Sequence, residues 1–174
     1  NTKDPLLEKK EVTKTYDFIY PATLGYHKNH KKLIDSFIIL SAENIFPSLL
    51  LTLSDDELEK TNFVDLVKRK SLNIHFKYFN SSEMINAYNS SRALLYPSFN
   101  ETLGLPLLEA KKYNLDILAS ELDYVRDLSV PTQTFDPFSA LSISRAIKRY
   151  LLINNIENNQ FLDYGLFLDY LKNS

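Results

Sequence analysis

Cysteine is absent from the 174 residues. Disulfides and thiolate-held metals are therefore excluded, and the composition suits a reducing, cytoplasmic setting. No apolar run approaches the roughly 20 residues that a bilayer-spanning helix needs, so no transmembrane segment is expected. Runs of like charge are missing too. The 20 Lys and Arg against 22 Asp and Glu leave a formal net charge of -2. Short basic clusters at residues 28–32 and 68–70 are too small to draw the chain to nucleic acid. Three histidines without supporting acids make no metal motif. Only three glycines occur, Gly25, Gly104 and Gly165. What is present is a 44% hydrophobic and 13% aromatic content, enough for a core. The length suits one compact domain, or at most two small ones.

The first 15 residues, polar and without an initiating Met, read as a linker, and the chain as part of something longer. Residues 16–174 form the expected domain, with 154–174 an Asn-rich, then helical and aromatic tail. Short apolar runs alternate with helical patterns. "YDFIYPA", "SLLLTLS", "LNIHFKYF", "ALLYPS", "DILAS" and "TQTFD" read as strands. "HKKLIDSFIILSA", "SDDELEKTNFVDLVKRK", "SSEMINAYNSS", "LPLLEAKKYN" and "PFSALSISRAIKRYLL" read as helices, the second N-capped by Ser54 and the last with Pro137 near its start. This alternation predicts an α/β fold: a Rossmann-like, mostly parallel sheet with helices on both faces. Strands that are apolar without alternation should be buried on both sides.

Ligands of open parallel sheets bind beyond the carboxyl ends of the strands. The segment "NETLGLPLLEA" falls there, between the fourth strand and its helix. Pro106 suits a first helical turn, so the helix should begin near Gly104 or Leu105. Its N-terminus would offer unpaired N–H groups from about residue 103 to 107, and the positive end of a dipole, to an anion. Gly104 would let a phosphate approach the backbone. Glu101 in the loop and Glu109 in the helix could accept sugar and ribose hydroxyls, which reads as a cradle for a nucleotide sugar. Lys28, in the loop after the first strand, is a candidate cation for a diphosphate. The plainer readings stand beside these: Glu109 as a dipole partner, worth up to about 1 kcal/mol, and Lys28 as a solvated side chain. His27 and His30 read as turn and cap residues, His75 as a satisfied strand histidine, and Asp55 and Asp56 as helix-start acids.

Glu101 and Glu109 match the E-x7-E pattern of retaining glycosyltransferases of GT-B fold. The string "SSRALLYPSFNETLGLPLLEAKKYNLDILAS" resembles the group 1 (GT4-type) family in particular. "FIYPATLGYHKNHKKLIDSF" resembles that family's phosphate loop and the helix after it, and "SELDYVRDL" and "FDP" fall where the family would have them. The likeness runs from about residue 17 to 150. It implies the C-terminal, donor-binding half of a two-domain GT-B enzyme, a hexosyltransferase type whose acceptor-binding N-terminal half is missing. Glu109 would bind ribose hydroxyls and Glu101 the donor sugar near the reacting centre. Lys28 and the N–H groups of Thr102, Leu103, Gly104 and Leu105 would hold the diphosphate of a UDP-, GDP- or ADP-sugar. The base would lie against Tyr78, Phe79 and Asn80. No metal or other cofactor is implied, since Lys28 and the dipole neutralise the leaving group. The resemblance also suggests surface-polysaccharide synthesis, with any contact at the inner membrane face made by the missing half.

Two positions depart from the family pattern. Ala22-Thr23 stands where members often carry Gly-Arg, which removes one phosphate contact and leaves Thr23 a single hydrogen bond to offer. Asn114 replaces the usual glycine after the motif helix, a mild change because Asn tolerates the left-handed conformation. Two other functions stay open: a non-catalytic nucleotide-sugar-binding or interaction domain, and a sugar-nucleotide epimerase. A phosphorylase is disfavoured, because no sequence context for a pyridoxal phosphate lysine is seen. The fragment alone is expected to bind donor weakly and to transfer nothing.

Overall fold

A computed structural model describes residues 14–158, with side chains as far as Leu152. Six strands form one all-parallel sheet in the order β3-β2-β1-β4-β5-β6. They are β1 (Tyr16–Tyr20), β2 (Leu49–Leu51), β3 (Ile74–Phe76), β4 (Ser91–Tyr96), β5 (Asp116–Ser120) and β6 (Gln133–Phe135). The helices are α1 (His30–Ala42), α2 (Asp55–Leu58), α3 (Phe63–Arg69), α4 (Met84–Asn89), α5 (Leu105–Lys112), α6 (Asp123–Leu128) and α7 (Ala140–Asn158). The chain steps outward from β1 to β3, then returns past β1 and steps the other way from β4 to β6. Right-handed crossovers then place α1 and α3 on one face and α4, α5 and α6 on the other. Helix α7 returns over the first face and packs on α1.

The core is the sheet itself. Phe18, Ile19, Tyr20, Leu49, Leu50, Leu51 and the Ala93, Leu94, Leu95 and Tyr96 run are all at 0% exposure. Successive residues of one strand point to opposite faces, so burial of both parities requires helices on both sides.

Several boundaries differ from the sequence reading. "SDDELEKTNFVDLVKRK" is two helices: Ser54 precedes α2 as expected, and the chain breaks over 59–62 before α3 starts at Phe63. Glu57 caps and anchors the short first piece. Its carboxylate accepts from Ser54 N–H and Oγ at 2.9 Å each, and from Leu24 N–H at 2.6 Å. Helix α2 thereby becomes a clamp on the loop after β1. Helix α6, within "SELDYVRDL", was not anticipated; six residues are too few for a periodic pattern to register. Helix α7 starts at Ala140, three residues after Pro137, and runs through residue 158, so the expected boundary at 154 falls inside it. The rest of the tail, with Gly165, lies outside the described residues, as do residues 1–13. Asn114 takes φ 54°, the left-handed conformation for which Asn was judged a mild replacement of glycine.

Candidate functional site

The chain reverses its winding between β1 and β4, so the loops leaving their carboxyl ends diverge and leave a crevice. Two hydrogen bonds tie those loops together, and two more fix Asn29 and Lys28 in place. Phe99 N–H donates to His27 O at 3.1 Å. Asn29 Nδ2 donates to Pro97 O at 3.0 Å and to Pro137 O at 2.7 Å. Tyr20 Oη reaches Lys28 O at 2.9 Å. Asn29 adopts φ 63°, turning the chain from a single 3-10 turn at Tyr26–Lys28 into α1. The result brings Lys28 to Glu101: Nζ lies 2.5 Å from Oε1, with side-chain exposures of only 18% and 12%.

Those two residues and the run 101–106 line a hollow of about 270 Å³. Its floor is the start of α5. Gly104 holds φ 57°, and Leu105 begins the helix, with Pro106 in its first turn. A Cβ at Gly104 would come within 2.6 Å of Leu128 Cδ1, so the tip is closely backed by α6. Leu107 N–H is already bonded to Gly104 O at 2.9 Å, and Pro106 has no N–H to give. This corrects the expected donor range. The N–H groups of Thr102, Leu103, Gly104 and Leu105, toward which the helix dipole also points, have no partner among the described residues. Beneath them the buried Tyr96 hydroxyl has no hydrogen-bond partner among the described residues.

Glu101 is held from below. Ser98 Oγ donates to Oε1 at 2.8 Å, and Ser98 Oγ lies 2.7 Å from Tyr20 Oη. Tyr124 Oη donates to Ser98 O at 2.8 Å. Burial raises the Tyr20 and Tyr96 hydroxyls far above the ordinary phenol range, and the Glu101 charge pushes the same way. Tyr124 is pushed up to about 12, chiefly by burial and then by Glu101. All three stay protonated at pH 7. Glu109, on the exposed side of α5, accepts from Tyr88 Oη at 2.6 Å. Tyr88 is buried in α4 with its ring stacked on Tyr113, centroids 5.2 Å apart. Burial and the Glu109 carboxylate raise its hydroxyl as well.

The structure thus gathers Lys28, Glu101, Thr102, Leu103, Gly104 and Leu105 around one hollow. Glu109 lies further along α5. Thr23 is exposed and lines neither this hollow nor its neighbour. Tyr78, Phe79 and Asn80 follow β3 at the same edge of the sheet, two strands from β1. Tyr78 is 63% exposed, and Lys77 Nζ sits 4.9 Å from the Phe79 ring centroid. Asn80 Oδ1 is taken up by Ser82 and Glu83 in the turn before α4. A larger hollow, about 430 Å³, lies toward α1 and is lined largely by Tyr26, Phe63, Phe99 and Phe138, with neither Glu101 nor Glu109 in it.

His30 was expected to be a cap. It is instead 2% exposed as the first residue of α1, with neither ring nitrogen in a hydrogen bond, and burial lowers it to about 4. His75 bonds Asn73 Oδ1 at 2.9 Å, as a satisfied strand residue would. Ser98, Tyr20, Tyr88 and Tyr124 were missed as site residues. Only Ser98 carried a signal, the "PS" before the acidic motif. Among the described residues no group of three His, Cys, Asp or Glu could hold a metal, and no helix is long and apolar enough to cross a membrane.

The doubly wound, all-parallel topology, with a helix tip at its switch point, defines an α/β domain of Rossmann-like type. The chain matches the family described as glycosyl transferases group 1 over residues 3–165, and it belongs to that family. Similar structures include the C-terminal domain of a group 1 glycosyl transferase, LpcC, from Francisella tularensis: 20% identity, 82% of this chain and 78% of that one, TM-score 0.65. The catalytic domain of cholesterol-alpha-glucosyltransferase from Helicobacter pylori is also similar, at 20% identity over 81% and 89% of the two chains, TM-score 0.63. Anabaena HepE, solved in complex with UDP and glucose, matches at 14% identity and TM-score 0.63 over 79% of this chain but 39% of its own. The chain likewise spans 36% of sucrose-phosphate synthase from Thermosynechococcus elongatus. No curated protein matches the chain significantly.

Proposed function

We propose that this chain is the donor-binding half of a retaining, GT4-type glycosyltransferase that moves a sugar from a nucleoside diphosphate to a glycan or lipid-linked acceptor. The observation that carries the reading is the convergence of Lys28, Glu101 and the left-handed Gly104 tip on one hollow. The diphosphate lies on the free N–H groups of residues 102–105 and takes the Lys28 ammonium. As the bond to the sugar breaks, charge grows on the leaving phosphate, and donors already aimed there stabilise it without reorganising. Glu101 accepts hydroxyls of the sugar next to the reacting carbon. Glu109, on the α4 side of α5, takes the ribose. The base rests near Tyr78, Phe79 and Asn80, two strand spacings or about 10 Å from β1. Acceptor binding falls to a separate N-terminal half, and surface-polysaccharide synthesis on the cytoplasmic side is the setting that suits such chemistry.

Calorimetric titration of the chain with UDP-, GDP- and ADP-sugars tests this. One of the three should bind, and Glu109→Ala should weaken that binding. No heat at millimolar ligand would refute the reading. It would favour a non-catalytic domain of this fold, an alternative that the exposed Thr23 in place of the family arginine supports.

A further inference from the structure

Three oxygen contacts run in a line beneath the acid of the proposed donor site: Lys28 O to Tyr20 Oη at 2.9 Å, Tyr20 Oη to Ser98 Oγ at 2.7 Å, and Ser98 Oγ to Glu101 Oε1 at 2.8 Å. Tyr20 and Ser98 are both at 0% exposure, so water does not complete the set. The line holds only two hydroxyl protons, because Lys28 O and an ionised Glu101 can only accept. Three arrangements use both protons. In one, Tyr20 donates to Ser98 and Ser98 donates to Glu101. In a second, Tyr20 donates to Lys28 O and Ser98 to Glu101, and the Tyr20–Ser98 contact holds no proton. In the third, Ser98 donates to Tyr20 and Tyr20 donates to Lys28 O, leaving Glu101 free of Ser98.

We propose that Ser98 and Tyr20 are positioning residues that hold the Glu101 carboxylate toward the donor sugar through this two-proton relay, and that Ser98 keeps donating to Glu101 when the sugar is bound. The proposal rests on the donor-site reading above. The relay joins the two elements that must act together. Its far end is the backbone of Lys28, whose side chain is paired with the same Glu101 oxygen. Tyr124 Oη donates to Ser98 O and fixes the Ser98 backbone beneath Glu101. A donor diphosphate that takes Lys28 removes one partner of Oε1, and the relay retains the other while sugar hydroxyls take the place of Lys28. Because Glu101 is charged, the arrangements in which Ser98 donates to it are preferred over the one that leaves it free.

The test compares the nucleoside diphosphate with the matching nucleotide sugar by calorimetry on the full chain. The ratio of the two dissociation constants is the contribution of the sugar. Ser98→Ala should leave the nucleoside diphosphate within about twofold and cut the contribution of the sugar by about tenfold, the worth of a hydrogen bond to a charged group. Tyr20→Phe should act in the same direction and carries the comparison should Ser98→Ala fail to fold. In a Glu101→Gln background neither change should lower the contribution of the sugar further, whereas a purely structural role would add its loss to that of Glu101→Gln. An unchanged ratio in both variants, or additive losses, would overturn the relay while leaving the donor site standing. A wild-type chain that binds neither ligand would overturn both.

Discussion

Gly104→Ala probes the tip on which the site depends. Gly104 sits at φ 57°, and an added Cβ would meet Leu128 Cδ1 at 2.6 Å and Leu107 Cδ1 at 3.4 Å. The left-handed backbone costs an alanine about 1–2 kcal/mol. The 2.6 Å approach is to the end of a side chain, so Leu128 can turn aside for about 1 kcal/mol. Together these give about 2–3 kcal/mol, or roughly 5–10 °C in Tm for a domain of this size. Urea unfolding measures the sum and two further variants divide it. Gly104→Asn keeps the Cβ but tolerates the backbone, and should recover part of the first cost. Leu128→Ala combined with Gly104→Ala should lose less than the two single changes added together, because the smaller side chain removes the clash. A Gly104→Ala cost below about 0.5 kcal/mol, within the range of an ordinary surface change, would refute the left-handed tip.

Two further outcomes follow from buried groups near the site. His30 is lowered to about 4 from its ordinary 6.5, so between those values the unfolded chain binds the proton and the folded chain does not. Stability from this group is complete above pH 6.5 and falls as pH drops toward 4, by at most about 3 kcal/mol. Unfolding free energies at pH 7.5 and 4.5 should converge in His30→Leu relative to wild type, and an equal acid loss in both would disprove the assignment. Tyr88→Phe removes the hydroxyl that donates to Glu109 at 2.6 Å while keeping the ring on Tyr113. Because Glu109 is exposed and water can replace the hydroxyl, stability should change by less than about 1 kcal/mol. Nucleoside diphosphate affinity should fall about three- to tenfold by calorimetry. Unaltered affinity would mean that the orientation of Glu109 does not matter to the ligand.

The strand pattern was legible because a two-sided parallel sheet leaves a blunt mark: Leu49, Leu50, Leu51 and the Ala93-to-Tyr96 run are apolar at every position and buried at every position. The start of α5 was legible for a local reason, since Pro106 and Gly104 each allow few alternatives. The break between α2 and α3 was not: Thr61 Oγ1 donates to Leu58 O and accepts from Phe63 N–H there, while Glu57 in α2 is drawn across to Leu24 N–H, 33 residues away in sequence. Helical periodicity cannot register such a contact. The site shows the same division. Glu101 and Glu109 flank a largely apolar run and stand out along the chain, whereas Lys28 sits in a basic cluster and is marked only by its place in the loop after the first strand. Tyr20, Tyr88 and Tyr96 read as core, and their rings are core. Their hydroxyls bear on the site only because the sheet sets β1 beside β4 and packs α4 along β4 near α5.

The free site is closed in charge. Lys28 and Glu101 neutralise one another at 2.5 Å, and the donors left without a partner are the backbone N–H groups of the tip. A small anion alone could take Lys28, but it would place its own charge beside a carboxylate that had just lost its cation, and that repulsion would be only partly screened at side chains 18% and 12% exposed. A diphosphate bearing a sugar, the proposed ligand, would differ in kind. Its phosphates would replace Glu101 at Lys28, and its hydroxyls would replace Lys28 at Glu101, so neither partner of the opened pair would be left unsatisfied. Under the proposed function, discrimination then lies less in the strength of any one contact than in a ligand carrying both an anion and adjacent hydroxyl donors at the right separation. Competitors that carry only one of the two leave a buried charge uncompensated, the costliest mismatch available to a site built this way.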